Sequence, residues 1–135
     1  MQLDREFEKY KGGPTVASRD RMHVTINHRG LIYLNANTHR MLGRLVAANL
    51  YFNRAKDQIA IEPTSARLPG VFPIHAKREG YVINAGPFCQ HFGIRLTGTQ
   101  RFVDPEIDQK GILLLELSNV VTIGGWQRRS KPNRA

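Results

Sequence analysis

One stretch constrains this chain more than any other, because it is written twice. Gly30 to Gly43 reads GLIYLNANTHRMLG, and fifty positions later Gly80 to Gly93 reads GYVINAGPFCQHFG. Both copies open and close on glycine at the same separation, with an apolar triplet after the first glycine: Leu31, Ile32 and Tyr33, then Tyr81, Val82 and Ile83. The correspondence extends to Phe52 and Phe102, and KDQIAIE and DQKGILLLE end the copies after a short insertion. Two diverged copies of a unit of about 45 residues are the simplest reading. A unit this small buries too little apolar surface alone, so the copies are expected to pack on or interleave with each other.

Each copy has the same grammar: a β-branched and aromatic run, Asn or Gly, one or two helical turns, a glycine stop, then two further apolar runs separated by turn residues. In the first, Asn35 or Asn37 can cap a helix carrying Thr38 to Leu42, and Gly43 stops it. In the second, Pro87 suits the first helical position and Gly93 repeats the stop. Ahead of the first glycine, Met22 to Asn27 alternates as a half-buried strand, and His28-Arg29-Gly30 is its turn. The expected division is an N-terminal arm (1–21), a basic first repeat (22–62), a linker rich in proline (63–71), a neutral second repeat (72–117) and a C-terminal extension with a basic tail (118–135). That extension contains a candidate strand, Val120 to Ile123.

The 135 residues allow one compact domain, or two halves sharing a core. A lone Cys89 rules out an intrachain disulfide. No apolar run approaches the roughly 20 residues that span a bilayer, and the N-terminus mixes charges where a signal peptide is apolar. A soluble, cytoplasmic protein without membrane association is therefore expected.

The formal net charge is +9, and it is unevenly spread. Residues 19–62 hold seven basic and three acidic groups, residues 72–117 five of each, and the tail four basic groups and no acid. Such asymmetry points to a polyanion, because phosphates release counterions when Arg and Lys meet them. The candidate contacts are Arg29 at a hairpin tip, His39 and Arg40 exposed on the short helix with Met41 and Leu42 turned inward, and Arg44 after the stop. Arg54 and Lys56 follow on the next turn, and Arg128, Arg129 and Lys131 lie in the tail beside Trp126. An aromatic next to a basic run can stack on bases, or pack against the fold with the tail behind it.

The pattern from Arg29 to Pro63, RGLIYLNANTHRMLG followed by NLYFNRAKDQIAIEP, resembles the swapped-hairpin domain of AbrB/SpoVT-like transition-state regulators and related antitoxins. The resemblance implies a mainly β fold with short helices: two swapped-hairpin-like ββαβ-type repeats forming one pseudo-dimeric small β-barrel. It also implies binding of double-stranded DNA through Arg29, His39 and Arg40, with Arg44 as a neighbour. One chain would supply both halves, as a pseudo-dimeric monomer, or would assemble further as a homodimer.

The expected function is thus a DNA-binding protein, a transcriptional regulator or an architectural protein. The alternatives are a protein-interaction module, antitoxin-like or a scaffold subunit with a protein partner, and RNA binding. Catalysis is not expected: Cys89 and His91 stand two apart, a spacing that does not bring side chains together on a helix. The five histidines lack metal-ligand spacing, and there is no phosphate loop or dinucleotide fingerprint. No cofactor or metal is implied.

Overall fold

The computed structural model describes residues 21–123. The chain runs β1 (Val24–Ile26), β2 (Leu31–Leu34), α1 (Ala36–Met41), β3 (Ala47–Asn53), β4 (Gln58–Thr64), β5 (Phe72–Lys77), β6 (Gly80–Asn84), α2 (Gly86–Phe92), β7 (Thr99–Phe102), β8 (Glu106–Ile107), β9 (Leu113–Glu116) and β10 (Val120–Ile123). All ten strands join one antiparallel sheet in the order β10-β7-β1-β2-β6-β5-β3-β4-β9-β8. The sheet is curled into a half-barrel. Its outer strands, β10 and β8, do not pair with each other, so it stops short of a closed barrel.

Local chemistry sets the hairpins. Asn27 Oδ1 accepts from the amides of Arg29 (2.9 Å) and Leu31 (3.0 Å), folding the β1–β2 loop on its own side chain. Asn53 Oδ1 does the same for the Lys56 amide (3.1 Å) at the β3–β4 turn, and Asp108 Oδ1 for the amides of Lys110 and Ile112 ahead of β9. Of the two cap candidates for α1, Asn35 caps it, accepting from the Thr38 amide at 3.0 Å. The same oxygen accepts from the His23 amide at 3.2 Å, and Asn35 Nδ2 donates to the Arg21 carbonyl at 2.8 Å, so the cap also fixes the entry to β1. α2 starts with Pro87 in its first turn and ends on Gly93, as its sequence predicts.

Directly opposed residues of an antiparallel pair share a face. Val24 stands opposite Leu34, Ile26 opposite Ile32, and Ile32 in turn opposite Ile83. Across the curl, Ile59 opposes Leu115 and Ile61 opposes Leu113. All nine side chains are fully buried and form the centre of the core. Each contributes about 1.5–3 kcal/mol relative to exposure. Leu42, Leu45, Phe88 and Phe102 close it from the helices and β7.

Strands from the two halves of the chain alternate in the sheet. β1 pairs with β7 and β5 with β3, while β2–β6 and β4–β9 join the halves directly. β3 is one continuous strand of seven residues, whereas β7 and β8 are separated by residues 103–105. Pro105 lies in that break and cannot donate to a ladder.

Candidate nucleic-acid interface

β2 separates the cationic residues into two groups. Its first residue, Leu31, pairs with Asn84, just ahead of α2, and its last, Leu34, pairs with Tyr81 at the start of β6. The His28–Arg29 tip, preceding β2, therefore meets α2, and α1, following β2, lies at the other end of the ribbon.

At the α2 end the join is tight. The Ala85 amide donates to the Gly30 carbonyl at 2.9 Å, and a Cβ on Gly30 would stand 2.7 Å from Gly86 Cα. Gly30 also has φ of +82°, so both conformation and space require glycine there. Arg29 is held exposed beside the first turn of α2. Past that helix, a groove bordered by His28, Gln90 and Arg95 continues through Gly93–Leu96 into a second groove bordered by Arg54, Phe52 and Phe92.

Arg54 is exposed but anchored. Its guanidinium carbon lies 5.7 Å from the centroids of both the Phe52 and Phe92 rings, and Nη1 donates to the Phe92 carbonyl at 3.4 Å. The cation thus stacks on aromatic faces while meeting a carbonyl in the last turn of α2. Lys56 is exposed on the same β3–β4 turn, with Asp57 beside it. Cys89, under this surface, is buried, and burial pushes its thiol up, which keeps it protonated.

At the α1 end the structure corrects the expected exposure. His39 is buried: its ring stacks on Tyr81, centroids 3.6 Å apart and planes 9° from parallel, with Nε2 3.0 Å from the Leu45 carbonyl. A ring so enclosed ties α1 to β6 and to the loop before β3, and it has no face to offer a phosphate. Met41 is exposed instead of turned inward, while Leu42 is buried as expected. Asn37, Thr38 and His39 are the buried residues of this six-residue helix, and Leu42, its C-cap, continues the buried side three residues past His39. Arg40 is exposed and donates to Asn37 Oδ1. Arg44 is exposed with φ of +55°, its amide bonded to the His39 carbonyl at 2.8 Å.

The candidate residues are therefore not one patch. Arg29, Arg54 and Lys56 belong with α2, and Arg40 and Arg44 with α1. Arg128, Arg129 and Lys131 lie outside the described residues. Two groove residues at the α2 end escaped the sequence reading, His28 and Arg95. Arg95 follows its glycine stop by two residues much as Arg44 follows Gly43, a signal masked by the neutral total of the second half. Among the described residues, no three His, Cys, Asp or Glu side chains come together as a metal site, and no helix is long and apolar enough to cross a membrane. Set against family models, curated proteins and solved structures, the chain matches none.

Proposed function

We propose that this protein binds duplex DNA, as a regulator or an architectural protein, through the cationic surface around α2. The observation that supports this most is the convergence of His28, Arg54 and Arg95 from three separate segments onto two adjoining grooves, with Arg29 exposed at the neighbouring tip and both Arg54 and that tip held by defined contacts. Cations on ordered elements can follow a phosphate backbone with less loss of conformational freedom than a tail. The basic tail adds affinity that does not depend on sequence. The finer architectural reading is that of two diverged swapped-hairpin units packed as a pseudo-dimer, akin to AbrB/SpoVT-like domains. Its support is that β1 and β5, each paired with the next strand of its own half, also pair with β7 and β3 of the other. A pseudo-dimer of unequal halves suits a site that is not a palindrome.

The test is binding of the full chain to duplex fragments at two salt concentrations, with Arg29→Ala/Arg95→Ala, Arg40→Ala/Arg44→Ala and a truncation before Trp126. For about four phosphate contacts, a fourfold rise in salt weakens binding roughly a hundredfold. The Arg29/Arg95 pair should remove about half of that salt slope and the Arg40/Arg44 pair little of it. Affinity indifferent to salt would sink the proposal. A protein partner is the second reading, favoured by Met41 and Val46, which are 50% and 60% exposed beside Arg40 and Arg44. Its mark is a stoichiometric complex that survives nuclease and is lost in Met41→Ser/Val46→Ser.

A further inference from the structure

The groove beside Arg54 contains more than a phosphate backbone would use. It is open and has a volume of about 400 Å³, within the range of roughly 300–1,000 Å³ usual for small-ligand sites. Among the described residues, Phe52, Phe92, Ile94, Leu96 and Leu117 give it an apolar floor, each half-buried and packed against the core. Arg54, Arg95 and Asp57, all exposed, form its rim. The β3–β4 hairpin, the segment after α2 and the end of β9 meet here.

Its walls are held by contacts on every side. The Phe92 ring packs against Phe52 at 5.3 Å between centroids, against Phe88 at 5.1 Å and against His91 at 4.7 Å, and these neighbours fix it in place. The Ile94 amide donates to the Cys89 carbonyl at 2.9 Å, securing the chain just past the Gly93 stop. The Leu117 amide donates to the Asp57 carbonyl at 2.9 Å and ties the end of β9 to the β3–β4 turn. Arg54, its guanidinium against both phenyl rings, adds a flat cationic surface to this frame. A groove framed this way is formed before a ligand arrives, so little freedom is lost on binding.

We infer that this groove takes an unpaired base, turned out of a DNA strand whose phosphates the neighbouring Lys56 and Arg95 hold. The inference rests on the nucleic-acid reading of the α2 surface and adds what that surface distinguishes. A paired duplex offers phosphates and base edges but keeps its base faces stacked inside, so it leaves the apolar floor without a role. An unpaired base brings a flat ring that stacks on aromatic or guanidinium faces, tethered to the phosphates the cations need. A free phosphate in the groove would meet the Asp57 carboxylate, whereas the amino group of a cytosine can donate to it. An apolar side chain of a protein fills the floor equally well but makes no use of the guanidinium plane.

The test is fluorescence anisotropy of the full chain with dye-labelled duplexes of one sequence: fully paired, with one extra cytosine in one strand, and with an abasic residue in place of that cytosine. The abasic bulge keeps the bend and the flexibility and lacks the base. The expected result is that the cytosine bulge binds about tenfold tighter than either other duplex. Arg54→Lys, which keeps the charge and loses the flat face, should bring that ratio close to one, as should Leu117→Ser, which cuts away part of the floor. Arg29→Ala should lower all the affinities and keep the ratio. Arg54 is exposed, so Arg54→Lys keeps the test sound if Leu117→Ser melts early. Equal binding of the cytosine and abasic bulges would overturn the inference and leave the duplex reading standing. An unchanged ratio in Arg54→Lys would also overturn it. Preference for the cytosine bulge without measurable binding of the paired duplex would uphold the inference and remove the duplex reading, and no binding of any duplex would overturn both.

Discussion

The halves built on Gly30–Gly43 and Gly80–Gly93 follow one grammar and solve it differently, starting with their first glycine. Gly30 is a turn residue with φ of +82°, closing a loop folded on Asn27. Gly80 is already in β6, opposite Lys77, and its bare backbone accommodates the Tyr33 ring. The inward set shifts accordingly. Ile32 is two residues past its glycine and Ile83 three past its own, yet these two oppose each other in the core. The extra residue is recovered before the helix stops, at Gly43 and Gly93. Equal spacing in sequence therefore hides a change of face in a strand, where one residue decides inside from outside.

That comparison can be broken by substitution. Gly30→Ala should cost the most, about 3 kcal/mol or more, because left-handed strain of about 1–2 kcal/mol adds to a backbone clash with Gly86. Gly80→Ala should cost about 2 kcal/mol, since its Cβ would meet the Leu34 carbonyl oxygen at 2.6 Å without conformational strain. Urea unfolding measures both, and equal losses would mean that the two glycines do the same job. Only the Gly80 variant should also disturb Tyr33, visible as displaced ring resonances.

The helices diverge as well. His39 of α1 reaches across to Tyr81 of the second half, and Arg54 of the first half reaches across to Phe92 of α2. His39→Ala should cost about 2 kcal/mol through lost packing and an unpaired Leu45 carbonyl. Arg54→Ala should cost about 0.5–1 kcal/mol, the value of an exposed cation–π contact. Arg40→Ala, bonded within its own helix, should stay within about 0.5 kcal/mol. Thermal melting that ranks Arg40→Ala above Arg54→Ala would reverse the picture of contacts that cross between halves.

The strand-strand-helix-strand order was legible because β-branched runs, Asn caps and glycine stops act locally. Ile32 and Leu34 follow the period of two expected of a half-buried strand, whereas in β1 Thr25 is buried along with Val24 and Ile26. The pairings of β1 with β7 and of β5 with β3 join segments far apart in the chain, which no local pattern carries. The same limit affected the cationic residues. Arg29 and Arg40 are neighbours by number, but one four-residue strand sends them to opposite ends of the ribbon. His39 reads as a surface residue until Tyr81 supplies a ring to cover it. Arg95 was hidden by a charge count that treated its half as neutral.

Two glutamates, Glu62 inside β4 and Glu116 at the end of β9, sharpen the comparison at the smallest scale. Glu62 is held within its own half: Tyr51 donates to Oε1 at 2.7 Å and Asn49 Nδ2 at 3.2 Å. Glu116 is held from the other half, accepting from Gln58 Nε2. The Tyr51 hydrogen bond, then that of Asn49, lowers the Glu62 carboxyl below the usual carboxylate range. Its folded state therefore favours the ionised form, and the small stabilisation is present above the ordinary carboxylate pKa. It is lost as pH falls through Glu62's own lowered value. Tyr51→Phe removes the first donor, so carboxyl carbon NMR should show Glu62 titrating at higher pH while the Glu116 resonance stays in place. Stability at neutral pH should hardly change, because the pair is solvent-screened. A shift at Glu116 as large as that at Glu62 would show that β4 and β9 share one polar network instead of holding their glutamates separately.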